Sequence, residues 1–482
     1  MSIHMNDLGH RLLIDSGKKR QIDILSILMD SEVPVSLIHL SQKCQVTLKT
    51  IQKDAQVLVE MFPDQLFYEN NYLSLKKNTD MLLLTKHIRS IVRNSPLFSI
   101  LEAIFDGKYI TTSGLLEEWY VSESTLRKYL AYLKDILNEY EIEMNTNPLY
   151  LIGNEVNIRY FYFHFFDYKY FDYEEINHSE FTSNNNHNPF EDFGKSYSRL
   201  LNINYQALEK WLFIIKKRTS MKKFIQLKEE TINKYSSHSG FLLLKKNLAK
   251  EVIIEEQDIP ESEYVFLYLV MINNVIYDGN SMSFTNELVK EFRKFESLVD
   301  MFFDTVNLNY SVHMDLKILL TGFLVNLNAL SDASDIFQTT NSYLKDNIEK
   351  KYPHILAIWY KILKNNANFI HTYDMAIKLT VFTVSKMNTV KKVLFLIMGP
   401  PAVISYSKYL ALKNLPQKTE AVFLLNQPFK PELIEKMNID LIVCNFTVVE
   451  PLKNCEMYFF SNILSDVEWS NFRLYLDEKR LS

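Results

Sequence analysis

Thr47, Lys49, Thr50, Gln52 and Lys53 lie close together in the chain, and Ser124, Thr125, Arg127 and Lys128 repeat the same mixture further on. Each set combines short hydroxyl side chains with long basic or amide ones. Each also shares a helical stretch with an apolar opposite side: Leu48, Ile51, Ala55, Leu58 and Val59 in the first, and Leu126, Tyr129, Leu130, Leu133 and Leu137 in the second. A helix that enters the major groove of DNA needs this division, with hydrogen-bonding groups toward the base edges and an apolar back that fixes its orientation. Arg127 is the strongest candidate for a bidentate guanine contact, a type worth roughly 1–3 kcal/mol of discrimination. Lys18, Lys19 and Arg20, ahead of the first apolar run, suit phosphate contacts that position a domain without reading bases.

The elements that must hold these side chains are legible around them. Ile22, Ile24, Leu25, Leu28 and Met29 recur at helical spacing, and Asp30 to Pro34 breaks the helix. A short helix follows from Ser36, with Leu37, Leu40 and Ile38 as inward candidates. A turn through Cys44-Gln45-Val46 leads to Thr47, an N-cap for the polar-faced helix. Then LFYENNYLSLKK alternates around Glu69-Asn70-Asn71, the pattern of a β-hairpin wing. The series comes again: a helix from Pro96 stopped by Asp106-Gly107, and a short helix with Leu115, Leu116 and Trp119. A turn at Tyr120-Val121 and a cap at Ser122 follow, and IEMNTNPLYLIGN supplies a second hairpin. One such pattern is weak evidence, since three-helix packing is common in structural domains; two in tandem are far more specific.

The remainder is of two kinds. From about residue 158 to 386 the chain reads as long amphipathic helices rich in Phe and Tyr, with a polar loop at 182–189 and two similar regions centred on 200–285 and 295–385. The aromatic run 160–173 has helical spacing and is expected to be core. The last hundred residues alternate strands and helices: KKVLFLI, then a helix over 401–414, EAVFLLN, the helix KPELIEKM, and the strand DLIVCNF, with Cys444 buried in it. Ten glycines in 482 residues leave few of the cheap tight turns that an all-β fold needs, so a mainly α, multidomain chain is expected.

Composition limits the function classes. Three scattered cysteines, Cys44, Cys444 and Cys455, give no disulfide framework or cysteine zinc site and suit a reducing, cytoplasmic setting. No signal-peptide pattern opens the chain and no uncharged run spans a bilayer, so no membrane partner is expected. Phosphate-loop, nucleophile-elbow and metalloprotease motifs are missing, and the eleven histidines are dispersed. The expectation is a non-enzyme without cofactor or metal. A net charge of −5 does not favour nucleic acid over the whole chain, so the DNA surface must be local. Glu117, Glu118, Glu123, Glu139, Glu141 and Glu143 crowd the second unit in particular.

The order of parts resembles the Mga/AtxA family of virulence regulators of Gram-positive bacteria. The resemblance runs along the whole chain and is carried best by STLRKYLAYL, by the join LIGNEVNIRYFYF (151–163) and by IPESEYVFLYLVMINN (259–274). It implies two N-terminal winged helix-turn-helix domains, two central helical bundles like phosphotransferase-system (PTS) regulation domains, and a small C-terminal EIIB-like α/β domain. The corresponding ranges are 1–90, 91–168, 169–288, 289–388 and 389–482. It also implies double-stranded DNA as partner, activation of transcription, a homodimer or higher oligomer built through the C-terminal domain, and tuning by phosphotransferase-system proteins. The sequence departs from that pattern at several points. The helix glutamate Glu263 leads to Val270 where a histidine is usual, Met221 takes another histidine's place, and LLTGFLVNL (319–327) has none. His238, His313, His354 and His371 remain as phosphorylation candidates. No Cys or His follows the first strand of the tail, where Gly399-Pro400-Pro401-Ala402 stands, so a non-catalytic tail is expected. An RNA-binding antiterminator and a phosphotransferase subunit are the competing readings. The helix-turn-helix pattern in residues 1–80 opposes the first, and the missing nucleophile opposes the second.

Overall fold

The structure is a computed structural model, and it describes residues 7–31, 33–168, 202–248, 259–276, 289–306, 308, 313–386, 392–415, 419–427, 439–446, 456–461 and 463–479. The polar loop 182–189, the segment KPELIEKM and the end of the aromatic run lie outside them. The described chain is mainly helical and falls into two compact units. One comprises Met1–Phe295, Thr321–Asn347 and Asn368–Met375; the other comprises Glu296–Leu320, Ile348–Ala367 and Ala376–Ser482.

The first unit begins with a winged helix. Helices α1 (Asp7–Arg11), α2 (Ser16–Met29), α3 (Leu37–Lys43) and α4 (Leu48–Met61) surround a small sheet of β1 (Val35–Ser36), β2 (Leu66–Glu69) and β3 (Tyr72–Leu75), in the order β1-β3-β2. Short polar residues start the helices as expected. The Asp15 carboxylate accepts from the Gly17 and Lys18 amides, the Ser36 hydroxyl from His39 and the Thr47 hydroxyl from Thr50. The β2–β3 turn has Asn70 and Asn71 at φ 49° and 63°, the two left-handed residues that a two-residue hairpin loop requires. Ile38, one of the inward candidates, points outward and is 59% exposed. In so short a helix Leu37 and Leu40 already fill the inner side, and Ile38 lies about 100° away from Leu37.

The series repeats through α5 (Met81–Arg93), which the sequence reading did not foresee, α6 (Pro96–Phe105), α7 (Thr112–Trp119) and α8 (Glu123–Asn138), ending in the hairpin β4 (Ile142–Thr146) and β5 (Leu149–Gly153). Thr111 caps α7 and Ser122 caps α8. Gly153 closes the hairpin at φ 151°, where an added Cβ meets the Glu141 carbonyl oxygen at 3.1 Å, so only glycine fits without a shift. Helix α9 (Glu155–Phe165) follows at once, capped by Asn154. One continuous apolar core runs from Leu8 through both winged helices to α9 and to Ile214 of α10 (Tyr205–Ser220). Phe161, Tyr162, Phe165 and Phe166 of the aromatic run are fully buried in it.

Beyond α10, the first unit continues with α11 (Glu229–Ser236), α12 (Ser239–Leu248) and α13 (Glu261–Asn273), and the short strands β6 (Asn202–Ile203) and β7 (Val275–Ile276) pair antiparallel. Ser262 to Ile272 of α13 are buried with one half-buried break at Tyr264, so this helix is apolar nearly all round and lies inside the bundle. In the second unit Phe302 of α14 (Val289–Thr305) stacks on Trp359, which lies on α17 (Pro353–Asn366). The Trp359 indole N–H donates to Thr383 of α18 (Thr372–Lys386) at 2.9 Å. Between these come α15 (Met314–Ser331) and α16 (Ser342–Lys351). By length and composition α15 is apolar enough to cross a membrane, although 67% of that stretch is buried inside the protein, as expected of an interior helix.

The C-terminal part is a four-stranded parallel sheet of β8 (Lys392–Ile397), β9 (Glu420–Leu425), β10 (Leu441–Cys444) and β11 (Glu456–Phe459), ordered β11-β10-β8-β9. Val393, Phe395 and Ile397 face one core with Trp469 and Phe472, while Leu394, Leu396, Ile442 and Cys444 face another. That is the two-sided burial expected of parallel strands. Helix α19 (Pro401–Asn414) matches the range read from sequence, whereas β11 and the last helix α20 (Asp466–Lys479) were missed.

Candidate nucleic-acid interface

The two polar-faced helices occupy equivalent places. Gln45 and Tyr120, Thr47 and Ser122, Ile51 and Leu126, and Leu58 and Leu133 correspond at one constant separation along the chain. Ile51, Ala55 and Leu58 are fully buried behind α4, and Leu126, Leu130 and Leu133 behind α8. The fronts are open. Lys49 and Lys53 are exposed on α4, with Thr50 and Gln52 half-buried beside them; Ser124, Arg127 and Lys128 are exposed on α8, with Thr125 half-buried. The Thr47 and Ser122 hydroxyls are committed to capping; Thr47 lies 2.9 Å from the Thr50 hydroxyl, and Ser122 lies 2.9 and 2.8 Å from those of Ser124 and Thr125.

The charge balance of the fronts differs between the two. On α4 the acidic Asp54 turns inward, 7% exposed, and binds Arg20 of α2 at 2.7 Å. That hydrogen bond pushes the Arg20 guanidinium above its ordinary range. Arg20 therefore fastens α2 to α4, and its fork is occupied. Of the basic triplet ahead of α2, Lys18 is exposed, while the Lys19 ammonium lies 3.3 Å from the Tyr132 hydroxyl on α8. With Asp54 withdrawn, the outer side of α4 from Lys49 to Lys53 presents lysines, a hydroxyl and an amide, and the exposed Glu60 lies about two turns further on. On α8, Arg127 pairs with Glu123 one turn earlier at 2.5 Å. Both side chains are largely exposed, at 77% and 67%, so the pair contributes well under about 1 kcal/mol and holds Arg127 only weakly. Among the other acids of this unit, Glu139 binds Arg11 in two hydrogen bonds and Glu141 accepts from the Asn157 side-chain amide at 3.1 Å.

The join after the second winged helix carries a feature that residue spacing did not announce. Arg159 of α9 is fully buried and donates to both Glu263 oxygens at 2.6 and 2.9 Å, to Glu155 at 3.1 Å and to the Lys223 carbonyl at 2.9 Å. Arg218 of α10 holds the two Glu155 oxygens at 2.8 and 2.7 Å, and Glu263 also accepts the Ile225 amide at 2.8 Å. Four charged groups thus link α9, α10 and α13 inside one unit. Glu155 and Arg159 sit in the GNEVNIR segment, Glu263 in IPESEY and Arg218 in KKRTSMKKF (216–224), but nothing in the sequence between them shows that the three meet.

The histidine candidates do not converge. His238 lies 3.2 Å from the Tyr268 hydroxyl, His313 accepts the Lys317 amide through its backbone, and the His371 amide donates to Gln338. His354 is exposed near the start of α17, beside a cavity of about 360 Å³ that Ile358, Lys361 and Asn365 also line. Burial pushes the Cys44 and Cys444 thiols up, away from reactivity.

Comparison with known proteins bears on this arrangement directly. Residues 16–71, the first winged helix, match the M protein trans-acting positive regulator (MGA) HTH domain, and residues 80–166 match the Mga helix-turn-helix domain. In these two N-terminal domains the chain is similar to the Mga/AtxA family. The second match runs one residue past the end of α9 and so takes in the buried Arg159. A trans-acting regulator of Streptococcus pneumoniae is 26% identical to this chain over 157 residues, 32% of each. The capsule synthesis positive regulators AcpB and AcpA of Bacillus anthracis are 28% and 22% identical over 151 and 144 residues, 30% and 29% of each chain. The matched stretch spans about a third of the length of these relatives.

Proposed function

We propose that this chain is a cytoplasmic, DNA-binding regulator of transcription of the Mga/AtxA type that acts as an activator. The observation that carries the reading is the α4 front, where Lys49, Gln52 and Lys53 stand on the first turns of a capped helix and the neighbouring acid, Asp54, is turned inward to Arg20. On this reading Lys49, Thr50, Gln52, Lys53, Ser124, Thr125, Arg127 and Lys128 face the groove, Thr47 and Ser122 hold the helix starts in register, and Lys18 and Lys19 meet phosphates. The acidic surroundings of α8 make the first unit the larger source of affinity. The positive-regulator names of AcpB and AcpA support activation over repression.

The remaining helices are proposed as two PTS-regulation-like bundles over 169–288 and 289–388, following winged helices at 1–90 and 91–168. Their input would be modification by phosphotransferase-system proteins at His238, His313, His354 or His371, with His354 the most accessible. The tail, 389–482, is proposed as an EIIB-like domain that serves assembly into a homodimer or larger oligomer. Two observations favour contact over catalysis there. The β8 exit is clamped by Asn426 and Asn445, which each exchange two hydrogen bonds with the Gly399 or Met398 backbone, and α19 exposes Tyr406, Tyr409 and Leu412 along one side.

Competition between a DNA duplex and an RNA hairpin at two salt concentrations tests the reading. Duplex preference with affinity falling steeply in salt is expected; equal or better binding of the hairpin would overturn it. Incubation with the general phosphotransferase proteins and phosphoenolpyruvate, followed by mass spectrometry, tests the input, and absence of phosphohistidine would end that part.

A further inference from the structure

Both helix-turn-helix turns set a residue with a long side chain where the backbone favours glycine. Gln45 has φ 54°, and Tyr120 has φ 52° with ψ 38°. A Cβ is disfavoured in this left-handed region, and a large ring on it all the more. Packing within the fold does not offset that cost at Tyr120. Its neighbours Trp119, Val121 and Tyr129 pack against the core, whereas Tyr120 is 94% exposed. A strained backbone carrying an aromatic side chain into solvent gains its return from a partner outside the fold.

Position and chemistry indicate which partner. Tyr120 stands two residues before Ser122, the cap of α8, so it borders whatever the α8 front meets. The exposed Glu117, Glu118 and Glu123 surround it. In that acidic setting a neutral donor suits a phosphate better than another hydrogen-bond acceptor does. We infer that Tyr120 is a further DNA-contact residue, whose phenolic hydroxyl donates to a phosphate at the rim of the groove that α8 enters, with Gln45 as its counterpart beside α4. This inference rests on the DNA-binding reading given above.

Three variants of the full chain test it against a mixed-sequence duplex: Tyr120→Gly, Tyr120→Phe, and Lys49→Ala/Lys53→Ala as the control for DNA binding itself. Tyr120→Gly relieves the strained turn and is expected to raise the melting temperature by about 2 °C. It should still weaken duplex binding roughly three- to tenfold. Tyr120→Phe keeps the strain and is expected to lose most of the same affinity. Neither removes a charge, so the salt dependence stays as in the wild type, whereas the lysine pair flattens it. A gain in stability with a loss in binding is an outcome that a merely structural tyrosine cannot give. If the lysine variant weakens binding while either Tyr120 variant binds as the wild type does, the phosphate contact is refuted and the DNA reading stands. Wild-type binding by all three variants would sink both.

Discussion

Arg159→Met removes the centre of the buried ion network, and the structure fixes what is left behind. Glu155 keeps both of its bonds from Arg218, so it remains paired. Glu263 is 3% exposed and keeps only the Ile225 amide. One carboxylate is thus stranded out of water, a loss that costs about 3–5 kcal/mol in buried pairs. The Lys223 carbonyl loses its donor in either variant, so removing both charges, as Arg159→Met/Glu263→Met, replaces the stranded carboxylate by one unpaired Ile225 amide, at about 1–3 kcal/mol. The double variant should therefore be more stable than the single one. In thermal melts followed by circular dichroism, the single change should lower the transition of the first unit by on the order of 10 °C, and the double change should recover roughly half of that. Equal losses in the two variants would refute the reasoning, because charge compensation at Glu263 would then not be what the network supplies.

Three further outcomes follow from the same geometry. His87 stacks edge-on against Phe62 with Nε2 buried, and burial holds its pKa below the ordinary value of 6.5. The fold favours the neutral ring, so its stabilisation is complete above pH 6.5 and declines as pH falls below that toward and through the lowered value. His87→Phe should lose less stability between pH 7 and pH 5 than the wild type in urea titrations; an identical decline contradicts this. Asn71→Val forces a β-branched residue into φ 63° and should cost about 1–2 kcal/mol, while Asn71→Gly stays within about 0.5. Equal urea midpoints for the two would contradict the turn assignment. Ser122→Ala removes the cap of α8 and should cost about 1 kcal/mol, with Ser122→Asp retaining most of it.

Much of the architecture was legible because local chemistry fixes it. Ser and Thr caps, the Asn70-Asn71 turn and the apolar backs of α4 and α8 are written within a few residues of one another, and the strand–helix alternation after residue 392 is equally local. What escaped notice depends on contacts distant in sequence. Arg159 and Glu263 are far apart, and only the packing of α9 on α10 and α13 brings them together. Arg20 looked like part of a phosphate-binding triplet because Asp54, its partner, belongs to a different helix. Helix α5 went unread because Met81, Leu82 and Leu83 at its start are exposed and blur the helical period. The left-handed backbone at Gln45 and Tyr120 carries no glycine to announce it.

The central claim is that the α4 front lies against DNA. Titrating a labelled mixed-sequence duplex with wild type and with Lys49→Ala/Lys53→Ala, at several salt concentrations, tests it most directly. Binding weakened at every concentration, with the slope of log affinity against log salt reduced by about two, is the predicted result. An unchanged affinity and slope in a folded variant would mean that this front meets something other than phosphate and base pairs.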